Sequence, residues 1–365
     1  MKKRILAAMS GGIDSSIAAF LLKQEGWDVE GVHFAMGGQG LEDSRRLCSE
    51  IAGWLGIKMR FVDLQKEFRR DVIGAILNEY KSGRTPNPCV ICNRQVKFKA
   101  LVRIAEDLEI DHVATGHYAR KIKKRLPADG TKKDWEWFIL KAKDKTKDQS
   151  YFLSQLKTDT IERCEFPLGE YLKKEVRELA RQHGFPGASK KESQGLCFVS
   201  GTVEDFIKSH VQECGGEIFD QAGNAIGEHR GLSLYTIGQR KGIGVGRSGP
   251  YYVVSKDYNA NALHVSNVGD ESRLYRDGIR LNAGEWVNER RYALFMAKQD
   301  KMIEEGKLMI KIRYGHLEEL ITAMQIDPQG IIKVKLKRKI RAITSGQAAV
   351  FYDSKGVVWL GSSII

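Results

Sequence analysis

The sequence predicts an α/β protein: a doubly wound, mostly parallel sheet, followed by a small middle domain and a C-terminal β-barrel. Three observations predict it. Strand-like apolar runs alternate with amphipathic helical runs up to about residue 117, glycines crowd the stretch after Gly201, and short alternating segments dominate from about Glu271. Domain boundaries follow at 1–200, 201–270 and 271–365.

Each element can be justified in turn. "RILAAM" (4–9) is a short buried strand, "DSSIAAFLLKQEG" (14–26) a helix with Asp14 near its start and Gly26 at its end, and "DVEGVHFAM" (28–36) the next strand. A helix over "LEDSRRLCSEIAGWLG", a strand over "KMRFVDL" and a long helix to about Tyr80 continue the alternation. A helix from Arg94, with Asn93 as its N-cap, and a strand in "DHVATGH" complete the first unit. Ligands of such sheets sit at the carboxyl ends of the strands. The Lys-rich stretch from Arg120 to Lys147 reads as a solvated surface hairpin. Farther on, "GIIKVKLKRKIRAIT" sets apolar and basic residues on opposite faces of a strand, and "GQAAVFYDSKGVVWLGSSII" reads as a hairpin closing the barrel.

Composition narrows the function. There are 59 Lys and Arg against 46 Asp and Glu, a net charge of +13, which favours a polyanionic partner such as nucleic acid. No apolar run approaches a membrane span, and the N-terminal run turns into a glycine loop before a signal-peptide core develops, so the expected compartment is the cytoplasm. Six scattered cysteines argue against a secreted disulfide framework. Cys48 and Cys164 read as small buried hydrophobes, and Cys214, beside two glycines, as a turn residue.

Two stretches carry chemistry. "SGGIDSS" (10–16) joins the first strand to the first helix, where glycines allow close approach of backbone and the helix start favours an anion. It lacks the Gly-Lys-Ser/Thr ending of a Walker loop, which disfavours kinase chemistry. "GRTPNPCVICNRQVKFKAL" (83–101) places Cys89 and Cys92 behind two prolines that stiffen the loop. Metal binding, a disulfide and nucleophilic attack are all open to that pair. A helix N-terminus with Arg94 and Lys97 following would lower the pKa of the Cys92 thiol, making it a candidate nucleophile. Zinc is disfavoured because no Cys/His pair of suitable spacing stands nearby. Cys197, in "KKESQGLCF", is the third cysteine of interest.

The first of these stretches resembles the PP-loop of ATP pyrophosphatases. Together with the second stretch, "GRTPNPCVICNRQVKFKAL", and with "ATGHYAR", "KDQSYFLSQL", "KKESQGLCF", "GLSLYTIGQRKGIGVG", "RYGH" and "SGQAAVFY", spread in order to Tyr352, it makes the chain resemble the tRNA-specific 2-thiouridylase family over nearly its whole length. The resemblance implies a PP-loop domain, a small middle domain and a C-terminal barrel. It also implies adenylation by ATP, with Mg2+, of the C2 oxygen of the wobble uridine, followed by replacement of that oxygen with sulfur. By the same resemblance Ala8, Met9, Ser10, Gly11, Gly12, Ile13, Asp14 and Ser15 bind ATP, with Phe34 and Gly116 near the adenosine. Asn87, Pro88, Cys89, His117, Lys147, Asp148, Gln149, Arg313, Tyr314 and Gln347 contact tRNA, Lys147 and Asp148 orienting the base. Cys197 would carry a persulfide and Cys92 would attack or resolve it. The implied partners are the tRNA anticodon stem-loop and a persulfide-donating protein. Phe34 stands where the family often has methionine, and Cys89 where most members have aspartate. That second departure leaves open a [4Fe–4S] cluster on Cys89, Cys92 and Cys197, or a role for Cys89 as resolving thiol. The rival readings are a small-molecule adenylating synthetase and a non-catalytic RNA-binding protein. For the leading reading, the target uridine flips out into a pocket near Asn87, Cys92 and His117, and Lys121 to Lys147 together with "KVKLKRKIR" (333–341) neutralise phosphates.

Overall fold

A computed structural model describes residues 2–38, 40–125, 135–187, 202–245, 250–267, 271–282 and 289–363. Apolar runs become strands and amphipathic runs become helices in the expected order. β1 (Arg4–Ala8), α1 (Ile13–Gln24), β2 (Asp28–Ala35), α2 (Leu41–Leu55) and β3 (Lys58–Asp63) open the chain. Gly26 and Gly56, at φ of 86° and 62°, turn the chain out of α1 and α2 in the left-handed region where a Cβ is costly. Next come α3 (Gln65–Phe68) and α4 (Gly74–Lys81), joined by a π-turn over Arg69–Ile73. α5 (Pro88–Cys92) and α6 (Phe98–Asp107) are joined by a second π-turn over Asn93–Lys97. β4 (His112–Thr115) precedes an antiparallel hairpin of β5 (Ala119–Arg125) and β6 (Trp135–Lys141). α7 (Thr158–Arg163), β7 (Cys164–Glu165) and α8 (Lys173–Gln182) follow.

The first sheet is parallel throughout, in the order β3-β2-β1-β4-β7. Alternate residues of β1 feed different cores. Leu6 packs with Val32, Val72, Ile76 and Leu101, while Ile5 and Ala7 pack with Ile17, Cys48, Ile51 and Val176. Strand order reverses at β1, so the crevice above β1 and β4 is the switch point where a doubly wound sheet binds ligands.

α9 (Val203–Lys208) leads to a four-stranded sheet of β8 (Gly216–Phe219), β9 (Ala225–His229), β10 (Tyr251–Asp257) and β11 (Ala262–Asn267), ordered β10-β11-β8-β9. The last sheet contains β12 (Tyr275–Asn282), β13 (Leu308–Lys311), β14 (Glu319–Ile326), β15 (Ile331–Arg341), β16 (Ala348–Asp353) and β17 (Val358–Ser363). Its order is β12-β15-β14-β13-β16-β17, and β16 and β17 form the expected hairpin. Alternation in β15 works as read: Ile332, Val334 and Leu336 are buried, and Lys333, Lys335 and Lys337 are exposed. An unforeseen helix, α10 (Glu289–Glu304), packs on this sheet through Phe295 against Phe351 and Trp359. Among the described residues no helix is long and apolar enough to cross a membrane.

The hairpin β5–β6 requires a correction. Its described strands are not solvated on both faces, because Phe138 and Ile139 are buried and Phe138 packs against Trp359 of the last sheet. Several of its lysines are already neutralised: Lys121 pairs with Glu165, Lys124 with Asp353 and Lys141 with Glu318. The Arg291 guanidinium meets the Glu136 carboxylate at 3.5 Å with both side chains 4% exposed, fastening the hairpin to α10.

Candidate active site

The glycine-serine loop between β1 and α1 is shaped by its serines. The Ser10 amide donates to Ser15 Oγ at 3.0 Å, and Ser15 Oγ also reaches the Gly12 carbonyl at 3.1 Å. Gly11 has φ 75°, and Gly12 leads directly into α1, whose first-turn amides have no preceding helical carbonyl to meet. Ala8 ends β1, and the amide of buried Met9 donates to the Val32 carbonyl. Across the switch point Gly116 follows β4 so closely that a Cβ there would lie 2.6 Å from the Ser15 amide. Phe34 lies buried near the carboxyl end of β2. Ser10 to Ser15, Phe34 and Gly116 thus share one edge of the sheet. That edge offers backbone amides, a helix start and the three glycines Gly11, Gly12 and Gly116, which fits a nucleotide's phosphates.

Asp14, in the first turn of α1, is held by two residues that sequence reasoning missed. The Tyr118 hydroxyl donates to Oδ1 at 2.9 Å, and Lys173 Nζ lies 2.6 and 2.8 Å from Oδ1 and Oδ2. No local signal could have found Lys173, because it lies 159 residues away in sequence.

The cysteine helix begins earlier than expected. Asn87, rather than Asn93, is the N-cap: its Oδ1 accepts from the Val90 amide at 3.3 Å, and Pro88 occupies the first turn, where its missing N–H costs nothing. Asn93 has helical φ and ψ of −59° and −48° inside the continuing helix, and its side-chain amide donates to the Phe152 carbonyl. Exposed Cys89, therefore, lies at the helix N-terminus where Cys92 was expected. Cys92 is buried one turn later, with Sγ 3.9 Å from Met36 Sδ just beyond β2. The cysteine helix and the phosphate loop thus face the same strand ends. Cys48 and Cys164 are fully buried, and burial pushes the Cys164 thiol up. Cys214 is exposed.

Residues from three regions gather around Asn87. The Tyr151 hydroxyl, raised in pKa by burial, hydrogen-bonds the Asn87 side chain and donates to the Ala348 carbonyl at 2.8 Å. Tyr314 packs against Phe152 with the rings tilted by 32° and their centres 4.4 Å apart, and Asp148, Asp144 and Cys89 lie near enough to help burial raise its pKa. Arg313 donates to Thr344 Oγ1 at 2.7 Å. Gln347, nearly buried, donates to the Thr85 and Pro86 carbonyls at 2.8 and 3.3 Å.

The turn around Lys147 is tightly bonded. Buried Asp148 accepts from the Ala142 amide and the Ser150 hydroxyl, while Gln149 Oε1 accepts from the Tyr118 amide at 2.9 Å. Lys147 itself is half-buried. His117 contacts Thr115 Oγ1 at 2.8 Å and stacks on Phe98; burial, aided by the charge of Lys97, lowers its pKa to about 3.

Cys197 lies outside the described residues. Among those described, no group of three His, Cys, Asp or Glu side chains could hold a metal ion. They supply two thiols, Cys89 and Cys92, of the three that an open cluster would need.

Comparison with known proteins places this geometry in context. Residues 3–201 match the family model described as tRNA methyl transferase HUP domain, 204–267 the tRNA methyl transferase PRC-barrel domain, and 276–365 the Aminomethyltransferase beta-barrel domain. The tRNA-specific 2-thiouridylase MnmA 1 of Geobacillus kaustophilus (strain HTA426) is 38% identical over 375 residues, spanning 100% of this chain and 95% of that protein. The tRNA-specific 2-thiouridylase MnmA of Shewanella sp. (strain MR-4) is 37% identical over 381 residues, with 100% and 96% coverage. A solved 4-thiouridine synthetase–RNA complex with bound ATP aligns with 52% of this chain and 43% of that one, at 21% identity and a TM-score of 0.35.

Proposed function

The chain belongs to the tRNA-specific 2-thiouridylase family, and from that premise we propose that it replaces the C2 oxygen of the wobble uridine in tRNA with sulfur, consuming ATP. One observation carries the reading: relatives so named match the whole chain at 37–38% identity. The shared edge of phosphate loop and cysteine helix supports it.

ATP enters as its Mg2+ complex and leaves as AMP and diphosphate. The loop from Ala8 to Ser15 holds the phosphates through backbone amides, and Phe34 and Gly116 bound the adenosine. An oxide is a very poor leaving group, so C2 reacts after its oxygen has been joined to AMP. The uridine flips into a pocket near Asn87, Cys92 and His117, where Lys147 and Asp148 orient the base, and Pro88, Cys89, Gln149, Arg313, Tyr314 and Gln347 lie along the RNA. The adjoining, mutually tilted rings of Phe152 and Tyr314 offer an aromatic surface for an unstacked base, since single-stranded RNA is held by aromatic stacking.

Sulfur reaches Cys197 as a persulfide from a donor protein in the cytoplasm. The Cys92 thiolate attacks the inner sulfur, a Cys92–Cys197 disulfide forms, and hydrosulfide leaves. Hydrosulfide adds to C2 and expels AMP, and an external dithiol reduces the disulfide for the next turnover. Burial of Cys92 keeps this exchange out of bulk water.

The test is thiolation of unmodified tRNA with ATP and a persulfide source, read by nucleoside mass analysis, with and without air. Formation of 2-thiouridine that is lost in Cys92→Ser supports the reading; no 2-thiouridine under either condition overturns it. Iron and sulfide analysis of the anaerobic protein separates the routes. A colourless, iron-free protein with multiple turnovers excludes a cluster on Cys89, Cys92 and Cys197.

A further inference from the structure

In the sequence Lys173 is one of two adjacent lysines opening "KKEVRELARQ" and looks like an ordinary helix-surface cation. In the fold the two diverge. Lys174 is exposed, whereas Lys173 has a side chain only 10% exposed. A buried ammonium needs a charged partner, and this one meets both carboxylate oxygens of Asp14 in the phosphate loop, at 2.6 and 2.8 Å.

Both ends of Lys173 are fixed. Its amide donates to Asp144 Oδ2 at 2.9 Å, and Asp144 also accepts from the amide and hydroxyl of Thr146. Tyr118, the other partner of Asp14, is gripped through its backbone by Gln149 at 2.8 and 2.9 Å. A single turn, 144–149, thus anchors both groups that hold the Asp14 carboxylate. Without a cation there, that carboxylate would meet the negative phosphates of a nucleotide at the same loop.

We propose that Lys173 is a positioning residue for the ATP-dependent step: it fixes the Asp14 carboxylate and cancels its charge where the triphosphate docks. The proposal rests on ATP being the substrate, as argued above. Lys173→Met, Lys173→Arg and Lys174→Met are compared with the wild type for AMP formation in the presence of tRNA, for ATP affinity by calorimetry without tRNA, and for melting temperature. Expected are a fall of about 10- to 100-fold in kcat/KM for ATP in Lys173→Met, the range for losing one ionic hydrogen-bond partner, with weakened ATP binding. Lys173→Arg, which can still span both oxygens, recovers most of the loss, and Lys174→Met matches the wild type. A folded Lys173→Met with unchanged kcat/KM and ATP affinity overturns the proposal. So does an equal loss in the Met and Arg variants accompanied by an equal drop in melting temperature, which would mark a purely structural helix start. Should the wild type bind ATP yet make no 2-thiouridine, the thiolation reading falls while the binding comparison still decides the role of Lys173. A wild type that binds no ATP overturns both.

Discussion

Asn93 and His117 show how single side chains fix the chemistry around the cysteine helix. Asn93 is 2% exposed, and its side-chain amide satisfies the Phe152 carbonyl, tying the turn after Cys92 to the aromatic pair Phe152 and Tyr314. Asn93→Ala leaves that carbonyl unpaired and is expected to cost about 1–3 kcal/mol, measured by urea unfolding, with faster alkylation of Cys92 as its packing loosens. His117 makes a different prediction. Burial lowers its pKa to about 3, so the folded value lies below the ordinary 6.5, and the ring stays neutral in the folded protein at neutral pH. The unfolded chain takes up the proton first as pH falls. The contribution of His117 to stability is therefore complete above pH 6.5 and is lost between 6.5 and about 3. Ring resonances of His117 followed by NMR from pH 8 to 5 should not titrate; a midpoint near 6.5 would contradict the burial argument.

At the scale of elements, the helix from Pro88 to Asp107 depends on its first turn and on what holds the loop before it. Removing the cap in Asn87→Ala should cost about 1 kcal/mol, the usual loss at an N-cap, seen as a lower denaturant midpoint. Gly346 presses on the same loop with φ 87°, and a Cβ there would approach Arg84 Cβ to 2.9 Å and the Thr85 backbone to 3.0 Å. Gly346→Ala is thus strained twice over, and a drop in melting temperature larger than that of Asn87→Ala is expected. The alternation of the first sheet and the two-residue period of β15 were legible in the sequence because burial writes those periods directly. The start of the cysteine helix was not, because two asparagines compete for the cap. Pro88 just after Asn87 was the signal that decides between them. α10 was hidden by the strand-like segments around it, although Phe295, Gln299 and Met302 follow a helical spacing. The Asp14–Lys173 pair, joining α1 to α8, had no local signature at all.

For the whole molecule, charge and domain packing make separable predictions. Lysines 121, 124 and 141 are engaged in internal ion pairs, while Lys337 and Arg338 stand exposed on β15. Charge reversal at Lys337 and Arg338 should weaken tRNA binding and flatten the slope of log affinity against log salt, by about 0.7 to 0.9 for each phosphate no longer neutralised. Lys124→Met should leave that slope unchanged. The buried Arg291–Glu136 pair joins the hairpin to α10, so Arg291→Met takes the paired cation from a buried carboxylate that Thr158 still hydrogen-bonds, and should destabilise by up to about 3 kcal/mol, read from chemical denaturation. The loop ahead of the cysteines carries a further consequence. The Thr85 amide donates to the Ser345 carbonyl, and Gln347 reaches the Thr85 and Pro86 carbonyls from 261 to 262 residues away. A chain emerging from the ribosome would form its glycine loop early, yet leave the loop at Thr85 and Pro86 without these partners until residues 345–347 appear.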